Sequence, residues 1–268
     1  MHTVLGLLLL GAVLVPTGEA PATYGGPGAE AGAAPTGRHV LHVAGERRTY
    51  ELYRPPGVGD RPPLVVALHG LGGSGAGLRG YSGWDDVASR VGAVVAYPDS
   101  FTDGWRSQPD ADQDVRFLTA LVRRLVAREG VDRERVYVTG HSSGGFMSFR
   151  MACDRSGLVA GIGPVAGAQA PDCAREPGPV RVVAVHGTAD ETVPYAGADW
   201  LPSAHESVRA WVRHNRCAPH PRRDRERALR TETWRRCAGR AGVRLISVRG
   251  GDHGYPAVAS RWIWRFLD

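Results

Sequence analysis

Six short apolar runs constrain the fold more than any other feature of this chain. They are PLVVALH (63–69), GAVVAYP (92–98), RVYVTG (135–140), GIGPVAG (161–167), RVVAVH (181–186) and VRLISV (243–248). Each is brief, rich in β-branched residues and bounded by Gly, Pro or charge, which reads as strand rather than helix. They are also too continuously apolar for a sheet with one wet face, so both faces must be covered. Amphipathic segments lie between them. In DVRFLTALVRRLVARE (114–129), Val115, Leu118, Leu121, Val122 and Leu125 form one stripe, with Asp114 read as the N-cap. GGFMSFRMAC (144–153), PSAHESVRAWVRHN (202–215) and AVASRWIWRFLD (257–268) complete the helical set. The alternation predicts an α/β class, with a mostly parallel, doubly wound sheet. Ahead of it, HVLHVAG (39–45) and RTYELYRP (48–55) alternate in polarity and predict an antiparallel hairpin turning at Glu46 and Arg47.

The chain has 268 residues, enough for one sizeable core, and the strand and helix pattern places that domain at 39–268. Residues 4–15, VLGLLLLGAVLV, stop at Pro16 and fall short of the about 20 apolar residues that span a bilayer. They read as the core of a signal peptide over 1–22, with Ala20 and Ala22 at the cleavage site. Export to the envelope or beyond is therefore expected, with no stable membrane span afterwards. Residues 23–38, dominated by Gly, Ala and Pro, read as a flexible linker.

Four cysteines, Cys153, Cys173, Cys217 and Cys237, suit an oxidising compartment. They lack CxxC spacing and nearby His ligands, so no metal site is expected. Pairing in sequence order would close two short loops, each contributing about 3 kcal/mol, although three connectivities are open. The net charge is +6, and all 33 cationic residues are arginine. Most alternate with Asp and Glu, as in RRDRERALRTE (222–232), which reads as a solvated face and not as a nucleic-acid surface.

Chemistry enters at VYVTGHSSGGF (136–146). The G-x-S-x-G pattern has one register here: Gly140, Ser142, Gly144. Counting from Ser143 would put His141 where a bulky side chain crowds a sharp strand-to-helix turn. Ser142 is therefore the candidate nucleophile, and Ser143 offers its backbone N–H at a helix N-terminus, where donors are unsatisfied.

A serine hydroxyl needs a base. His253, in RGGDHGYP (249–256), sits in a Gly-rich loop between the last strand and the last helix. Asp190, in VHGTADETVPY (185–195), follows another strand end and can orient that imidazole. Asp252 adjoins His253 too closely in sequence for a favourable bond, and Asp199 lies beyond the loop. In LHGLGGSG (68–75), four glycines expose backbone donors, and the N–H of Leu71, or of Gly70, is expected to join Ser143 in holding an oxyanion. A phosphate-binding reading of that loop fails for want of the P-loop lysine.

These stretches, with VDRERVYVTGHSSGGFMSFRMAC, resemble the polyhydroxybutyrate depolymerase and feruloyl esterase family over His39 to Asp268. The resemblance implies an exported serine esterase of the α/β-hydrolase fold, with Ser142, Asp190 and His253 at the triad positions. It implies that Cys217 and Cys237 match a pair frequently bridged there. Two positions depart from the family pattern: Tyr255 stands where a Trp is usual, and Leu71 where a Cys is common. Both border the acyl pocket in the family. Trp105, in YPDSFTDGWR, is a candidate aromatic platform at the mouth or a packing residue of its loop. Polymer-degrading members often carry a separate binding module, and the chain stops directly after its last predicted helix, so small or oligomeric esters are the expected substrates. No cofactor is needed for such chemistry. Acyl transfer or peptide hydrolysis on the same residues, or a silent binding protein of this fold, are the alternatives. Oligomeric state is not legible.

Overall fold

The computed structural model describes residues 35–169, 173 and 178–268. The expected signal peptide, and the expected linker up to residue 34, lie outside them. Among the described residues ten strands form one sheet, in the order β1-β2-β4-β3-β5-β6-β7-β10-β9-β8. The six apolar runs are β3 (Leu64–Leu68), β4 (Val94–Pro98), β5 (Val136–His141), β6 (Gly161–Val165), β7 (Arg181–Gly187) and β10 (Val243–Val248). They lie side by side as the parallel centre. β1 (Gly37–Val43) and β2 (Glu46–Tyr53) add an antiparallel hairpin on one edge. β8 (Arg222–Glu226) and β9 (Leu229–Trp234) add another on the opposite edge.

The hairpin β1–β2 turns at Ala44 and Gly45, not at Glu46 and Arg47, since Val43 pairs with Glu46. Both turn residues have positive φ, at 50° and 82°. A two-residue turn needs that handedness to match the twist of its strands, and glycine supplies it most cheaply. The hairpin β8–β9 was not foreseen: it occupies the charged stretch read as a solvated face. Every residue of β8 is exposed, so no apolar alternation marks it.

Successive residues of a central strand point to opposite faces. Val66 and Leu68 of β3 pack with Leu118, Phe149 and Trp211, from α3 (Gln113–Glu129), α4 (Ser143–Asp154) and α5 (Ala204–His214). Val65 and Ala67 pack with Leu78, Trp84 and Ile263, from α1 (Gly75–Ser82), α2 (Trp84–Val91) and α6 (Ala259–Leu267). Each fully buried aliphatic or aromatic side chain contributes about 1.5–3 kcal/mol. This two-sided burial is why the runs lack alternation.

Asp114 is not the N-cap of α3; Asp112 holds that position, without a side-chain cap bond. Asp114 lies within the first turn and is fully buried, where tertiary partners claim its carboxylate. Arg48 of β2 donates to it at 2.6 Å, and the backbone N–H groups of Phe101 and Arg106 donate at 3.1 Å. The Arg48 guanidinium also lies 4.0 Å from the centre of the Phe117 ring. Removing one partner of such a desolvated pair costs roughly 3–5 kcal/mol. The pair fixes the loop after β4, which walls the functional cleft. The cysteines pair in sequence order, Cys153 with Cys173 and Cys217 with Cys237.

Candidate active site

Strand β5 ends and helix α4 begins with Ser142 alone between them, so the chain reverses within one residue. Ser142 takes φ 52° and ψ −115°, a conformation that L-residues rarely adopt. Its N–H donates to Val165 O and its carbonyl accepts from Phe146 N–H, which clamps the turn from both sides. The flanking glycines are required by space. A Cβ on Gly140 would stand 2.4 Å from the Gly144 carbonyl, and one on Gly144 would stand 2.3 Å from Leu68 O. Neither leaves room for a methyl group, because all the neighbours are backbone.

Two further loops arrive at the same end of the sheet. Gly187, at the end of β7, lets the loop after β10 run against it: a Cβ there would lie 2.3 Å from Gly251 O. Ala189 N–H donates to Gly251 O at 2.9 Å and locks the two loops together. His253 and Asp190 are thereby brought into contact. The Ser142 hydroxyl lies 2.9 Å from His253 Nε2, and His253 Nδ1 lies 2.9 and 3.0 Å from the two oxygens of Asp190. Asp190 is buried, and its Oδ1 also accepts from the N–H groups of Thr192 and Val193 at 3.0 and 2.8 Å. Its Oδ2 faces the imidazoles of His253, at 2.9 Å, and of His186, at 3.3 Å. Asp252 instead accepts from Gly254 N–H, as its place beside His253 suggested.

Comparison with known proteins points to ester hydrolysis. Residues 48–174 match the family model described as Esterase PHB depolymerase. A protein of Nocardia uniformis subsp. tsuyamanensis, "Putative esterase NocK", is 33% identical over 260 residues, covering 84% of this chain and 75% of that one. The chain belongs to the PHB depolymerase-type esterase family. Feruloyl esterase D of Neurospora crassa is 29% identical, across 80% of this chain and 74% of its own. Among solved structures, the acetyl xylan esterase from Aspergillus awamori superposes with a TM-score of 0.67 at 20% identity, covering 88% of this chain and 96% of that one. That likeness shows the α/β-hydrolase fold. The protein is a carboxylic-ester hydrolase.

In this esterase the loop after β3 is held rigidly beside the elbow. His69 is buried; its Nδ1–H donates to Gly70 O at 2.7 Å and its Nε2 accepts from Ser100 N–H at 3.1 Å. Gly72 N–H donates to Asp103 O at 2.6 Å. Leu71 is left projecting, 75% exposed, on the rim of a cavity of about 540 Å³ that Ser143 also lines. The other walls are mostly polar: Thr102, Asp103, Arg106, Gln108 and Gln113.

Trp105 forms part of this wall but is only 4% exposed, with its indole N–H donating to His69 O at 3.0 Å. Its ring is committed to packing and offers no open platform. Tyr255 does not line that cavity. It borders a separate one of about 230 Å³, with its hydroxyl accepting from the Trp84 indole N–H at 3.1 Å and meeting Ser260 Oγ at 3.1 Å. Burial pushes this phenol up to about 12.

Two histidines near the elbow escaped the sequence reading. His141, considered there only for its bulk, donates from Nε2 to the backbone carbonyl of His253 at 2.7 Å, with the two rings 5.2 Å apart. It ties the elbow to the loop that bears His253. His186, at the end of β7, donates from Nε2 to Val193 O at 2.8 Å and lies 3.3 Å from Asp190 Oδ2. Burial holds both imidazoles, and that of His69, below the ordinary histidine value. All three are therefore neutral at neutral pH and act as fixed hydrogen-bonding wedges. The available signal was position: like His253, each stands at or just beyond the carboxyl end of a parallel strand, where ligands bind in this class of sheet.

Proposed function

We propose that this chain is an exported serine esterase in which Ser142, His253 and Asp190 act as a catalytic triad through an acyl-enzyme. The observation that carries the reading is the 2.9 Å separation of His253 Nε2 from Ser142 Oγ, with Asp190 behind the other ring nitrogen. His253 takes the serine proton as the oxygen attacks the ester carbonyl. Asp190, accepting from Nδ1–H, fixes the tautomer and stabilises the imidazolium. The N–H groups of Leu71 and Ser143 face the developing oxyanion, whose charge also gains from the dipole of α4. Collapse expels the alcohol, protonated by His253, and water then repeats the sequence to release the acid.

The polar walls of the 540 Å³ cavity support esters whose acid or alcohol carries hydroxyl groups, such as feruloyl or acetyl esters of sugars. Short polyhydroxyalkanoate oligomers are the second substrate class on this reading. Two disulfides among the described residues support an oxidising destination.

The deciding experiment is kinetic. Ser142→Ala lowers turnover of a nitrophenyl ester by about 10⁴-fold or more, and a fluorophosphonate probe no longer labels the protein. Ser143→Ala retains most of the rate, because its part is played by a backbone N–H. Equal losses in the two variants would reject the assignment of nucleophile.

A further inference from the structure

The parallel strands have a second end, and it gathers six arginines around one hollow. Arg181 opens β7, Arg244 stands second in β10, Arg235, Arg236 and Arg240 lie on the loop between β9 and β10, and Arg265 lies in the last turn of α6. Together they line a hollow of about 330 Å³ whose remaining walls include Trp234 and Phe266. Some arginines elsewhere meet carboxylates, as Arg61 meets Asp132 and Arg79 meets Asp85, and others do not. Among the described residues no carboxylate lies within ion-pair distance of any of these six. Asp268, the one acidic residue lining the hollow, is engaged by Arg135 and by Tyr137 Oη, and the charge of Arg181 also acts on it.

Two of the six are positioned rather than merely dangling. Arg181 donates from Nε to Arg240 O at 3.0 Å. Arg244 donates from Nε to Thr233 Oγ1 at 3.0 Å, with its guanidinium 4.5 Å from the centre of the Phe266 ring. Burial, and then the like charge of Arg235, outweigh the attraction of Asp224 and hold this guanidinium below the ordinary arginine value. The loop itself is pinned. Cys237 is bridged to Cys217, Ala238 N–H donates to Asn215 O at 2.8 Å, and Arg236 sits at φ 57°. Like charges held together in a shaped hollow cost free energy in the unliganded protein, and an anion relieves it.

We propose that this hollow is a binding site for a ligand carrying two or more phosphate or sulfate groups, remote from the catalytic cleft. Guanidinium forks match tetrahedral oxyanions through paired N–H donors, and several forks favour several anionic groups over one. The adjoining hollow of about 600 Å³ shares Arg181 and Arg240 but also carries Asp132 and Glu134, so anionic groups favour the smaller one. Strand β10 places the site six residues, roughly 20 Å, from the loop of His253. Occupancy therefore leaves ester hydrolysis untouched.

Calorimetric titration of the full chain with tripolyphosphate tests this. Saturable binding is expected, weakening by about 10-fold or more from about 50 to about 200 mM salt. The pair Arg236→Gln with Arg240→Gln should weaken it by about 10-fold or more at fixed salt. The pair Arg90→Gln with Arg116→Gln, which removes the same charge from remote exposed helix faces, should change it less than about two-fold. Inorganic phosphate should bind at least about 10-fold more weakly than tripolyphosphate. Unchanged nitrophenyl ester turnover in all variants certifies folding. No saturable binding, equal weakening by both pairs, or inorganic phosphate binding as tightly would each overturn the proposal.

Discussion

The elbow at the centre of the sheet and the β8–β9 hairpin at its edge are both short, polar and strained, yet opposite forces shape them. At the elbow, a Cβ on Gly140 or Gly144 would meet backbone first, intruding to 2.4 Å or less. At the hairpin, β8 is exposed throughout, and Arg227 takes φ 48° at a turn open to water. Residue identity is dictated by packing in the first case and only by charge in the second. Strain at the centre places a hydroxyl beside His253, whereas a strongly charged outer strand keeps a sheet edge from pairing with another chain. Strain by itself therefore does not mark a site; strain enclosed by backbone does.

The contrast can be broken, or sharpened, in steps. The largest effect is expected from Ser142→Ala, with about 10⁴-fold loss of turnover at nearly unchanged stability. Such a split, read by kinetics beside a urea melt, separates chemistry from scaffold. Gly144→Ala should come next, with roughly 3 kcal/mol of lost stability, since the intruded atom is the main-chain oxygen of Leu68 and cannot swing away. A urea midpoint equal to that of the parent would show that the elbow relaxes and that the crowding argument is wrong.

A smaller effect follows from the buried imidazoles. Those of His69, His141 and His186 lie below their ordinary value in the folded chain because of burial, whereas the unfolded chain titrates near about 6.5. Below that pH the unfolded state binds more protons than the folded one, so stability declines as pH falls. Urea midpoints measured between about pH 7.5 and about pH 5.5 should drop, and replacing His69 by Gln should flatten the slope. A midpoint that rises on acidification would contradict this account. The smallest effect belongs to the edge: Arg225→Gln should shift stability by no more than about 0.5 kcal/mol. A large loss there would erase the distinction between the two regions.

Much of this was legible along the chain. The six apolar runs marked the buried strands because burial on both faces leaves a signature that needs no partner to be named. Ser142 was legible because a reversal within one residue demands glycines on both sides. Asp190 and His253 were legible from their place after strands. Asp114 misled because a carboxylate near a helix start has two uses, and only the position of Arg48 chose between them. The hairpin turn misled by two residues because its handedness, not its polarity, selected Ala44 and Gly45. Trp105 and Tyr255 were recognisable as aromatic residues near loops, but which cavity each would face depended on neighbours far away in the chain.

By itself, the sequence determined which segments would be strands, where the chain must turn sharply, and which side chains could carry a proton. These are local properties, set by the polarity and shape of adjoining residues. The tertiary structure alone decided that His141 would brace the loop of His253, and that arginines spread from 181 to 265 would share one hollow. Such outcomes depend on strand order in the sheet. That order is set by the summed packing of all the layers and leaves no local trace in the residues it brings together.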